Sequence, residues 1–129
     1  MLVIDSETRA LRFIEGVGEG GAKYSGICAG PDGLLYCAPR NASSVLVIDP
    51  GTSTLSFIDG AGEGAMKYHG IRVCPEGLLY CAPLHASSVL VIDPRTRTLS
   101  FNDGVGEGAW KYFGICAGLD GLLYAIAAP

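Results

Sequence analysis

The sequence repeats itself with a period of 44 residues, and this period restricts the possible folds more than any other feature. The tetrapeptide Leu-Val-Ile-Asp begins at Leu2, Leu46 and Leu90. Gly-Glu-Gly, Lys-Tyr and Gly-Leu-Leu-Tyr recur with the same offset. A period of about 40 to 45 residues is the length of one β-propeller blade. We therefore divide the chain, as one propeller segment over residues 1–129, into repeats 2–45, 46–89 and 90–129.

Each repeat contains four strand patterns and no helix pattern, as the middle of the chain illustrates. Pro75 and Gly77 form a turn, and Pro83 interrupts the next apolar run. A continuous β-branched run is typical of a strand covered on both faces, whereas alternation of apolar and polar residues is typical of an outer strand. The sequence predicts strands A to D, from the propeller axis outward, over residues 68–73, 78–82, 88–92 and 98–101.

The repeat resembles a known family of blades. The run Ser-Val-Leu-Val-Ile-Asp-Pro-Gly-Thr from Ser44, then Gly70-Ile71, then Pro-Glu-Gly-Leu-Leu-Tyr from Pro75 are similar to the YVTN-type (NHL-like) β-propeller repeat. The resemblance implies an all-β propeller of four-stranded blades, most of which serve as binding platforms while a minority are enzymes. The Gly-Glu-Gly loop departs from that pattern, as does Cys-Ala-Pro where the family tends to have Val-Ala-Asn. No catalytic residue is carried over.

Three blades cannot close a ring, since propellers usually have four to eight. The chain starts in strand C and ends in strand B, so residues 1–15 form a C–D half-blade and residues 111–128 an A–B half-blade. A lone chain would expose strand edges at both ends. We expect copies to pair these halves, with six blades in a two-fold dimer favoured over nine in a trimer. An engineered or excised propeller fragment, with self-assembly as its only function, is an alternative.

Composition excludes several partners. The net charge is −4 and no cluster of Lys and Arg is present, which argues against nucleic acid. No segment has the apolar length of a membrane span, and no leader pattern opens the sequence, so we expect a cytoplasmic protein without a membrane partner. We expect no cofactor and no metal.

The cysteines do not follow the repeat, which indicates reduced thiols rather than a disulfide framework: Cys28, Cys37, Cys74, Cys81 and Cys116.

The candidate ligand site lies in the loops that join strand D of one blade to strand A of the next. Three of its residue types recur around the expected mouth of the central channel: Lys23, Lys67 and Lys111; Glu19, Glu63 and Glu107; Tyr24, Tyr68 and Tyr112. One interpretation is a site for a small polar or anionic ligand, held by lysine charge and loop N–H groups. The other is that each Glu pairs with a nearby Lys and holds its loop.

Two histidines and one tryptophan differ between repeats on the same face. His69 follows a Lys-Tyr pair and is included in the ligand site, whereas His85 lies in a B–C loop. They and the Glu ring are the acid–base groups of an alternative hypothesis, a propeller-type lyase or hydrolase. Trp110 is either a contact anchor or a filler between blades. Because the blades are nearly alike, we favour a non-enzymatic, self-assembling scaffold that binds a partner protein or small ligand on this face.

Overall fold

A computed structural model describes residues 1–17 and 21–127 of the chain. These residues form twelve β-strands: β1 (Leu2–Ile4), β2 (Leu11–Phe13), β3 (Tyr24–Ala29), β4 (Leu35–Pro39), β5 (Ser44–Asp49), β6 (Thr54–Asp59), β7 (Tyr68–Val73), β8 (Leu79–Pro83), β9 (Ser88–Asp93), β10 (Thr98–Asp103), β11 (Tyr112–Ala117) and β12 (Leu123–Ala127). Within the described ranges no helix has the length and apolar character needed to cross a membrane.

The strands form four separate antiparallel sheets. Two sheets have four strands, in the order β3-β4-β5-β6 and β7-β8-β9-β10. The other two are hairpins at the ends of the chain, β1-β2 and β11-β12. The predicted all-β propeller with four-stranded blades is therefore confirmed, while closure of the ring by several copies stays a prediction.

The middle blade shows how closely local sequence signals located the strands. The innermost strand occupies the predicted range, Tyr68–Val73. The second runs to Pro83 rather than ending before it, because its last residue pairs with Tyr68 at the strand end. The outermost strand extends to Asp103, two residues beyond the prediction, because Asn102 and Asp103 still pair with β9.

Each innermost strand is interrupted at a glycine. The register of β7 against β8 shifts between Tyr68 and Ile71, and Gly70 lies in this interval with a φ of +95°. The same shift occurs in β3 at Gly26 and in β11 at Gly114. A positive φ is readily available to glycine, so the backbone can bulge there without the strain that a side chain would bring.

The core lies between blades as well as inside them. Tyr36 and Val45 of the first complete blade pack in one cluster with Leu79 and Leu90 of the second. A smaller cluster joins the N-terminal hairpin to the first complete blade through Ile14, Leu46 and Ile48. Burial of such side chains is worth about 1.5–3 kcal/mol each, so blade-to-blade contact is a main source of stability. A blade at a free end lacks half of this contact.

Candidate functional site at the loop face

The lysines of the D–A loops are held by backbone carbonyls. Lys67 is only 6% exposed, and its Nζ donates to the oxygens of Ala42 and Gly64 at 2.6 and 3.1 Å. Lys111 is half-buried and donates to Gly108 at 2.6 Å. Burial lowers the pKa of Lys67, although Glu63 acts in the opposite direction. These two ammonium groups therefore hold loops through carbonyl oxygens, whereas the second interpretation of the sequence paired each lysine with a nearby Glu.

Lys23, the equivalent lysine of the first complete blade, borders a cavity. It lines this cavity, of about 580 Å³, together with Tyr24, Asn41, Ser44 and Glu63. The Tyr24 hydroxyl lies 3.4 Å from Ser44 Oγ, and Asn41 Oδ1 accepts from the Met66 N–H at 2.7 Å. Three predicted site residues, Lys23, Tyr24 and Glu63, thus border one cavity, whose lining also includes the apolar side chains of Val17 and Phe57.

The remaining predicted residues do not join that cavity. Tyr68 is buried in the core, and burial raises its pKa although Ser88 bonds to its hydroxyl. Tyr112 is half-buried and Glu107 is exposed. Glu19 lies outside the described residues. The described lysines, glutamates and tyrosines of the expected ring therefore differ in burial.

A row of unlike side chains lies beside the innermost strands. Ser25 Oγ is 2.5 Å from His69 Nδ1, and the His69 ring lies 4.9 Å from the ring of Phe113. These three residues occupy the same position in successive repeats. Trp110 extends the row, with its ring 6.2 Å from Phe113 and 5.0 Å from His85. The Nε2 atom of His85 is buried and has no hydrogen-bond partner among the described residues.

Two other groups have structural roles. Asp5, Asp49 and Asp93 each accept a backbone N–H within the following turn, at 3.0, 2.9 and 3.0 Å. Among residues 1–17 and 21–127 no group of His, Cys, Asp or Glu could hold a metal ion. The five cysteines are free thiols; Cys37, Cys74 and Cys81 are buried, whereas Cys116 is exposed.

A contact between a turn aspartate and a strand tyrosine was not predicted from the sequence. The Tyr36 hydroxyl donates to Asp32 Oδ2 at 2.6 Å, and Asp32 Oδ1 accepts from the Leu34 N–H, so the turn is tied to strand β4. Tyr124 and Asp120 repeat this pair. The sequence signal that could have predicted this contact is an Asp that precedes a Tyr by four residues, with a turn glycine between them. In the middle repeat Glu replaces Asp, and Glu76 instead accepts from Cys74 Sγ at 2.9 Å.

No family model matches the sequence, and no curated protein matches it. Solved propeller structures do match its fold. Selenomethionine-substituted virginiamycin B lyase from Staphylococcus aureus has a TM-score of 0.78 at 14% identity, covering 98% of this chain and 47% of its own. A streptogramin B lyase structure has a TM-score of 0.78 at 19% identity, covering 98% and 40%. An inactive variant of the Staphylococcus aureus lyase with quinupristin has a TM-score of 0.80 at 15% identity, covering 98% and 41%.

The likeness to these lyases establishes the fold alone, because every identity is below 20%. The chain spans less than half the length of each of these lyases.

Proposed function

We propose that the chain is a non-enzymatic scaffold of YVTN-like blades that closes a propeller by self-assembly. The observation that carries this proposal is the exposure of two apolar side chains on β1. Leu2 is 50% and Ile4 63% exposed. Their four equivalents in the complete blades are at most 1% exposed: Leu46, Ile48, Leu90 and Ile92. The same residues are core residues wherever strands A and B are present beside them.

The strand that would cover Leu2 and Ile4 is a strand B, and β12 in the C-terminal hairpin of another copy is such a strand. In both complete blades the second strand pairs with the third over three residues, as Leu35 with Ile48 and Leu79 with Ile92. Applied with the 44-residue offset, this register predicts how β12 of one copy would pair with β1 of another. Leu123 would then lie opposite Ile4, Tyr124 opposite Val3 and Ala125 opposite Leu2.

The space beside β12 supports the same pairing. A groove of about 410 Å³ lies there, lined in part by Leu123, Ala125 and Val89. Val89 is half-buried, whereas its equivalent Val45 in the first complete blade is fully buried by the blade that follows. A hairpin with the shape of β1-β2 would fill this groove, because in the complete blades the corresponding strands occupy that position.

Two copies give six blades and three copies give nine; six falls in the usual range of propellers. The proposal is tested by the mass of the chain in solution across micromolar concentrations. We expect twice the monomer mass, and Ile4→Asp should give monomer because it places a charge in the shared blade. Phe101→Asp is the matched control, since Phe101 is also exposed but lies on the outer strand β10. A wild-type chain that stays monomeric and folds cooperatively would overturn the proposal.

A second proposed role is ligand binding at the loop face. The cavity beside Lys23 supports it, since an ammonium, hydroxyls and an amide border one space large enough for a small molecule. The expected ligand is small and polar or anionic. It would be held by Lys23 and the hydroxyls of Ser43 and Ser44, with Glu63 at the margin limiting how much negative charge the cavity accepts.

A further inference from the structure

The three bulge glycines form a row in which each makes room for the next blade. A Cβ built on Gly26 would lie 3.1 Å from the Cα of Gly70, and one built on Gly70 would lie 2.8 Å from the Cα of Gly114. Real Cβ atoms rarely approach other heavy atoms this closely, so the missing side chains allow the innermost strands to pack backbone against backbone. Gly114 ends the row, and a Cβ built there would meet nothing within 4 Å.

A second row of contacts follows the A–B turns on the opposite face. A Cβ on Gly77 would lie 3.3 Å from Pro31 Cγ, and one on Gly121 would lie 3.9 Å from Pro75 Cγ. Each glycine thus faces the turn residue of the preceding blade. This row also has two free ends. A Cβ on Gly33 would meet nothing within 4 Å, and Leu119, which replaces the proline in the last repeat, is fully exposed.

The two rows end at the same two surfaces. One surface lacks a blade that follows it, and the other lacks a hairpin that precedes it. The C-terminal hairpin presents Gly114 and Leu119, which lack a following blade. The first complete blade presents Gly26 and Gly33, which lack a preceding A–B hairpin. Ile27 on this blade is 54% exposed, whereas its equivalent Ile71, which has a neighbouring blade on either side, is 6% exposed.

We propose that these two surfaces are one interface between copies of the chain, distinct from the β12–β1 strand pairing although it rests on the proposed self-assembly. Gly26 of a second copy would lie against Gly114, and Gly33 of that copy against Leu119. Because both pairs have the spacing of the repeat, the two contacts form at the same time where the copies meet. The hairpin β11-β12 of the first copy then covers Ile27 of the second. Leu119 supplies the apolar contact that Pro31 and Pro75 make inside the chain. The shared blade is then held both by strand pairing and by blade-to-blade packing.

The interface is tested with two glycine variants whose new side chains would meet no atom of the single chain within 4 Å. Gly114→Ala and Gly104→Ala both place a side chain at positive φ, +75° and +109°, where the single chain has open space. Only Gly114 faces the proposed partner. We expect Gly114→Ala to raise the dissociation constant of the assembly at least tenfold in sedimentation velocity, and Gly104→Ala to change it less than twofold.

A second pair of variants removes any dependence on backbone conformation. Leu119→Asp should weaken assembly at least tenfold, while Phe101→Asp, at an exposed site outside both surfaces, should leave it unchanged. Assembly of Gly114→Ala and Leu119→Asp as tight as that of the wild type would overturn the interface while leaving the strand pairing intact. A wild-type chain that is monomeric throughout would instead overturn the proposed function and this interface with it.

Discussion

Lys67 connects two blades, since its ammonium donates to the carbonyl oxygen of Ala42 in the preceding B–C loop at 2.6 Å. The same Nζ atom donates a second hydrogen bond to the carbonyl oxygen of Gly64, in the D–A loop that contains Lys67. The backbone N–H of Lys67 also donates to the carbonyl oxygen of Arg40 at 2.8 Å. The backbone and the side chain of Lys67 therefore both bond to the neighbouring blade. This lysine is therefore a structural element of the blade interface rather than a free cation at the channel mouth.

Replacing Lys67 by Met should lower the free energy of unfolding by about 1–3 kcal/mol, because the carbonyl of Ala42 would lose its buried donor. Lys111→Met is the matched control: this lysine is more exposed, and among the described residues its ammonium donates only to the Gly108 carbonyl of its own loop, so the loss should be smaller. Urea unfolding followed by circular dichroism measures both. Equal losses in the two variants would contradict a role of Lys67 between blades.

Gly70→Ala should destabilise the folded chain by about 2–4 kcal/mol. The new Cβ would lie 2.8 Å from the Cα of Gly114, and the residue would keep a φ of +95°. Gly104→Ala shares the positive φ but has open space around it, so its cost should be about 1–2 kcal/mol. Thermal unfolding compares them, and a cost for Gly70→Ala no greater than for Gly104→Ala would show that the strands can separate.

Alkaline pH should destabilise the chain through its buried thiols. Burial raises the pKa of Cys37 to about 12 and raises that of Cys81 as well. The folded chain then keeps protons that the unfolded chain releases near pH 9. This contribution to stability is complete below pH 9 and is lost as pH rises toward 12, by up to about 1.4 kcal/mol per pH unit for each thiol.

The thiol contribution is measured as the slope of unfolding free energy between pH 8.5 and 10.5. Cys37→Ala should make this slope shallower, whatever it does to stability at neutral pH. Cys116→Ala is the control at an exposed position. An unchanged slope in Cys37→Ala would contradict a contribution of Cys37 and leave the alkaline behaviour to other groups with raised pKa values, such as Cys81 and Tyr36.

The period of the sequence was sufficient to predict the four-stranded blades, because each blade is encoded locally by its turns and apolar runs. Prediction of the strands of the middle blade failed only at their ends, where pairing partners rather than residue type decide the length. The role of Lys67 was not predictable in this way. Its partner Ala42 lies in another repeat, and a carbonyl acceptor leaves no trace in the amino-acid sequence.

The loop face was predicted less well for the same reason. The sequence placed Lys23, Lys67 and Lys111 in equivalent positions, but Lys67 is buried whereas Lys23 and Lys111 are half-buried, because burial depends on what neighbouring repeats place beside each lysine. The contact between Ser25 and His69 was also not predicted. Both residues stand at one position of the repeat, and only the close approach of neighbouring innermost strands brings them to 2.5 Å.

Phosphate, sulfate or a small carboxylate should bind beside Lys23 if the loop-face cavity is a ligand site. Lys23→Ala should weaken binding at least tenfold, whereas Lys111→Ala should change it little because Lys111 is bonded to Gly108 and does not line the cavity. Isothermal titration calorimetry and crystal soaks measure affinity and position. Density only at the turn face, or affinity unchanged in Lys23→Ala, would contradict the site.

Removal of residues 1–15 should abolish assembly and leave aggregating material. The deletion takes away the hairpin β1-β2, so β12 of every copy would keep an unpaired edge, and Leu46 and Ile48 would lose the cover provided by Ile14 and its neighbours. A peptide with the sequence of residues 1–15 should restore solubility by adding its strand to β12, as extended peptides do at open sheet edges. The same peptide carrying Ile4→Asp is the control, and it should fail. Sedimentation and light scattering follow both mixtures, and a truncated chain that remains well folded and assembled without peptide would show that its ends do not pair in this way.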